Sequence, residues 1–83
     1  MNREEIIKIT KATIEEIQEV QYGDEVFSQA LVDLSFNSIS FIKLIVRLET
    51  EFDIAFAEEI VLIKKDTTVN DIVDYICTNI NKD

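Results

Sequence analysis

Hydrophobic positions recur along the chain in three sustained helical stripes, separated by segments that keep no period. Over residues 3–21, Ile6, Ile9, Thr13, Ile17 and Val20 fall on one face with Ile7 and Ile14 on its shoulder, which predicts a first helix. Glu4 and Glu5 lie in its first turn, where the helix dipole favours anions, and Gly23 and Asp24 supply turn chemistry beyond its end. Residues 25–36 read as a long, partly buried loop whose apolar members, Val26, Phe27, Leu31, Val32, Leu34 and Phe36, fill gaps in the core. A second helix is predicted over residues 38–52, and after an extended link a short third one over residues 58–63. The last helix opens at "TTVND", where Thr68 as N-cap and Asp71 three residues on make a capping box; Val69, Ile72, Val73, Ile76 and Ile80 form its buried face. No strand pattern appears. The fold class is therefore all-α: a small four-helix bundle of three main helices and one short one, in a single domain over residues 1–83.

The second helix carries more apolar surface than a core needs. At about 100° per residue, Phe41, Leu44, Ile45, Leu48 and Phe52 occupy the arc of an ordinary core stripe. Ser40, Lys43, Arg47, Thr50 and Glu51 make the polar arc. Ile39, Ile42 and Val46 remain as a separate i, i+3, i+7 stripe that begins beside Ser38. Two accounts fit the spacing: these three pack under the long loop, or they form an exposed ridge for partners.

Composition narrows the function classes. Nearly half of the 83 residues are hydrophobic, enough for a globular core, and the absence of proline with a single glycine suits helices. The formal charge of −9 argues against nucleic acid, whose phosphates it would repel, and for partners with basic patches. No apolar run is long enough to span a membrane, and the "NREEIIK" start is acidic where a signal peptide is basic. A single cysteine, Cys77, permits no internal disulfide, and the absence of histidine argues against a zinc site. A monomer in a reducing cytoplasm is the expectation. Met1 and the polar "NINKD" end suggest a complete chain.

Ser35, Ser38 and Ser40, with Asn37, crowd the start of the second helix. Such residues are routinely N-caps, and capping is the plain reading of all three serines. Nucleophilic catalysis by serine needs a base, commonly histidine, and a pairing of serine with Lys43 has no oxyanion-hole motif to support it. A hydrolase is thereby set aside, and the chain does not read as an enzyme. A serine that is itself modified needs no such base. A helix N-terminus stabilises a phosphate ester through its unpaired N–H groups and its dipole.

The stretch "LVDLSFNSISFIKLIVRLETEFDIAFAEE" resembles the acyl and peptidyl carrier protein family. That family's signature is roughly L-G-x-D-S-L/I followed by a helix of the form x-x-x-L-x-x-x-L-E-x-x-F. Leu34, Ser35, Phe36, Asn37, Ser38 and Ile39 stand at the first part, and Leu44, Leu48, Glu49 and Phe52 at the second. "TTVNDIVDYI" is similar to the start of the family's fourth helix. The resemblance implies a bundle whose Ser38 carries 4′-phosphopantetheine, added from coenzyme A by a phosphopantetheinyl transferase, with Asn37 beside the attachment point. The arm's thiol would hold acyl or aminoacyl groups as thioesters for loading and downstream biosynthetic enzymes. Ile39, Ile42, Lys43 and Val46 fall at the family's partner-facing positions, which favours the exposed ridge.

Departures from the family pattern carry information. Asn37 stands where aspartate is most common, Ser35 replaces the usual glycine, and Ala57 sits where proline is common. Ser40 and Lys43 occupy a region where fatty-acid carriers present carboxylates. The expectation is therefore a free-standing carrier in a nonribosomal peptide or polyketide type of pathway, with a fatty-acid synthesis carrier as the alternative. From a different class, an unmodified helical interaction domain would use Ser38 only as a cap.

Overall fold

The computed structural model describes residues 2–56 and 66–80. Three α-helices form among them: α1 (Arg3–Gln18), α2 (Ser38–Phe52) and α3 (Val69–Ile80). The described part is helical throughout apart from turns and one isolated antiparallel bridge between Ala30 and Thr68, in keeping with the small helical bundle expected. The short helix expected over residues 58–63 lies outside the described residues, as does Ala57.

Helix α1 begins where Asn2 accepts a hydrogen bond from the Glu5 N–H at 2.9 Å. It ends at Gln18, a turn earlier than the period predicts, with Glu19 in the left-handed conformation at φ 57. The cause is tertiary. The Gln18 side chain donates to the Leu34 carbonyl at 2.7 Å, and Glu15 accepts from the Tyr22 N–H at 2.7 Å, so the last turn holds the following loop against the bundle. Val20, placed on the buried face by spacing, consequently falls outside the helix and is 49% exposed. The buried stripe is Ile6, Thr10, Thr13 and Ile14, with Ile9 and Ile17 only half-buried at its border. Thr13 satisfies its hydroxyl on the Ile9 carbonyl, whereas Thr10 Oγ1, fully buried, has no partner among the described residues.

The expected loop contains two 3₁₀ helices, Asp24–Ser28 and Leu31–Leu34, too short to leave a period. Val26, Leu31, Leu34 and Phe36 are buried as expected and Phe27 is half-buried, but Val32 faces solvent. Hydrogen bonds from Leu31 N–H to the Thr67 carbonyl (2.8 Å) and from Val69 N–H to the Gln29 carbonyl (3.3 Å) pin this segment to the start of α3. That start is the predicted capping box: Asp71 N–H donates to Thr68 Oγ1 and Thr68 N–H to Asp71 Oδ2. Val69, Ile72, Val73 and Ile76 are fully buried, and Ile80 is partly so. Phe56 stacks on Tyr75 at 4.9 Å, and Arg3 pairs with Asp74 at 2.7 Å, so α3 is tied both to the segment that follows α2 and to the start of α1.

Candidate functional site

Three consecutive devices position the start of α2. Leu34 and Phe36 are buried and anchor the approach. Between them Ser35 turns the chain in the left-handed region at φ 70, and Phe36 N–H donates to the Leu31 carbonyl at 3.2 Å. Ser35 thus keeps the positive φ that glycine takes without strain and carries the penalty of its Cβ. Asn37 then caps the helix. Its Oδ1 accepts from Ser40 N–H and its own N–H donates to Ser40 Oγ, both at 2.9 Å, a reciprocal capping box.

Ser38 is therefore not the cap. It occupies the first helical position, exposed, and its hydroxyl has no hydrogen-bond partner among the described residues. The chain has four serines, and the others are placed differently. Ser28 donates to the Glu25 carbonyl at 3.1 Å, Ser40 is engaged in the capping box, and Ser35 lies in the turn before the helix. A hydroxyl at Ser38 is both accessible and set at the positive end of a 15-residue helix.

Downstream of Ser38 the two accounts of the extra stripe are decided. Phe41, Leu44, Ile45, Leu48 and Phe52 are buried, while Ile39, Ile42 and Val46 are 70%, 50% and 52% exposed. They form a ridge in solvent rather than packing under the loop. Ile42 and Val46 continue into an open cleft of about 350 Å³ between α1 and α2, completed by Ile17, Lys43 and Arg47. Its walls are almost wholly apolar, because Lys43 and Arg47 contribute their aliphatic stems. Arg47 Nη2 pairs with Glu16 at 3.0 Å, whereas Lys43 forms no ion pair among the described residues. Asn37, Ser38, Ile39, Ile42, Lys43 and Val46 thus lie along one exposed side of α2. Ile17, on the core face by periodicity, packs partly against the core and also lines this cleft, which the period alone does not reveal.

A family model described as the phosphopantetheine attachment site matches residues 4–76. The chain belongs to that family. No curated protein and no solved structure gives a significant match. Membership makes the protein a carrier that holds 4′-phosphopantetheine covalently, is served by a phosphopantetheinyl transferase and biosynthetic enzymes, and performs no catalysis of its own. The residues present fit the group, since a phosphodiester needs an exposed hydroxyl not already engaged in capping. No described helix of this carrier is long and apolar enough to cross a membrane.

Proposed function

We propose that Ser38 is the attachment residue and that residues 1–83 act as one carrier domain. The observation that carries this reading is the unpartnered, exposed Ser38 hydroxyl at the first position of α2, with capping delegated to Asn37 and Ser40. In loading, Ser38 Oγ bonds to the coenzyme A phosphorus next to pantetheine, 3′,5′-ADP leaves, and the hydroxyl proton passes to a base on the transferase. With no histidine in the chain, the base is assigned to the transferase. Asn37 fixes the orientation of the first turn, and the N–H groups there stabilise the resulting anion. When bound, the arm supplies a terminal thiol that takes acyl or aminoacyl cargo. Ile39, Ile42, Lys43 and Val46 form the surface against which partner enzymes dock.

The polar side of α2 favours a nonribosomal peptide or polyketide type of pathway over fatty-acid synthesis. Ser40, Lys43 and Arg47 leave that side neutral to positive in a chain of net charge −9. Fragmentation mass spectrometry of the loaded protein tests the anchor: the added group should map to Ser38, and finding it on Ser35 or Ser40 would overturn the assignment. For the pathway, the double variant Ser40→Asp, Lys43→Glu should be a better substrate for fatty-acid enzymes than the native chain. A native chain already processed efficiently by those enzymes would point to the fatty-acid alternative.

A further inference from the structure

The cleft between α1 and α2 has a charge pattern opposite to that of the molecule. Lys43, Arg47 and Glu16 stand at its edge, and the Arg47–Glu16 pair at 3.0 Å neutralises itself. Lys43 forms no ion pair among the described residues and stands beside apolar walls, in a chain of net charge −9. Ile42 lies four residues after Ser38, about 6 Å along the helix axis. An enzyme that covers the Ser38 hydroxyl therefore also covers Ile39 and Ile42, and reaches the mouth of the cleft.

We propose that the phosphopantetheinyl transferase acting on this carrier inserts an apolar side chain between Ile17, Ile42 and Val46 and sets a carboxylate against Lys43. The proposal rests on the reading of Ser38 as the anchor. It deepens that reading by naming the chemistry of the partner's face and by bringing Ile17 of α1 into the interface. An apolar centre bordered by exposed charge is the usual layout of a protein interface. At distances beyond about 8 Å the chain's negative field attracts a basic enzyme surface, but that field is screened at physiological salt. At contact the sign is set by Lys43. A lysine or arginine opposite it places like charges together, and a carboxylate gives a pair. The inferred partner is basic at large and acidic at this one spot, so Lys43 discriminates against transferases whose docking face is basic there too.

The test uses the full chain, coenzyme A, magnesium and each phosphopantetheinyl transferase of the source organism, with kcat/KM of loading read by mass. For the transferase that loads the native chain fastest, Lys43→Glu should lower kcat/KM roughly tenfold, mainly through KM, and Lys43→Gln should fall in between. Ile17→Ser, with its helical content checked by circular dichroism, should also raise KM while leaving kcat unchanged. A Lys43→Glu variant loaded as well as or better than the native chain would overturn the proposal. Failure of every transferase to load the native chain is a separate outcome: it removes the Ser38 reading, and this inference with it.

Discussion

Around Ser38, capping and chemistry are divided among neighbouring side chains. Asn37 and Ser40 satisfy each other's backbone N–H groups, so the hydroxyl between them is not needed for folding. Ser38→Ala should therefore change stability by no more than about 0.5 kcal/mol in urea denaturation, the range of ordinary surface substitutions. Asn37→Ala removes the cap and should cost about 1 kcal/mol. If Ser38→Ala proves the costlier of the two, Ser38 is structural after all. Ser35 makes the opposite case, a residue retained despite its backbone. Its φ of 70 costs an L-residue about 1–2 kcal/mol, partly offset by the greater unfolded-state entropy of glycine. Ser35→Gly should raise stability by about 0.5–1 kcal/mol; a loss would mean that the serine side chain contributes something its geometry does not reveal.

At the scale of the element, α2 has two apolar faces with different duties. Leu44 is fully buried, and truncating it to alanine should cost about 2–5 kcal/mol. Ile42 is half exposed, so Ile42→Ser should cost under about 1 kcal/mol and impair loading out of proportion to its effect on stability. Thermal unfolding alongside a loading assay separates the two. The bounds of α2 and its five buried residues were legible in the sequence because period and cap-type residues agree there. The α3 capping box was legible for the same reason. The end of α1 was not, since it is set by Gln18 and Glu15 reaching across to Leu34 and Tyr22, contacts between segments with no local signature. The 3₁₀ helices are shorter than any period that could announce them. The choice of cap was obscured by Ser35, Asn37, Ser38 and Ser40 falling within six positions, although the three-residue spacing of Asn37 and Ser40 is the reciprocal spacing of a capping box. Family resemblance singled out Ser38 as anchor; the structure leaves that hydroxyl exposed at the first position of α2, outside the cap that engages Ser40.

The whole molecule combines a small core with a large negative charge. Its three ion pairs among the described residues are solvent-exposed at one or both partners and contribute little. Self-repulsion from a net charge of −9 opposes compaction and is screened by salt, so Tm should rise on going from about 10 mM to about 150 mM sodium chloride. A Tm that falls with salt would show that the ion pairs outweigh the repulsion. Lys43 and Arg47 leave the polar side of α2 neutral to positive, close to the exposed Ser38. The most direct measurement is intact mass after incubation with coenzyme A, magnesium and a broad-specificity phosphopantetheinyl transferase, for the native chain and Ser38→Ala in parallel. A gain of one phosphopantetheine on the native chain, and none on the folded Ser38→Ala variant, is the predicted result. An equal gain on both, or none on a folded native chain with several transferases, would contradict the assignment of Ser38 as the anchor.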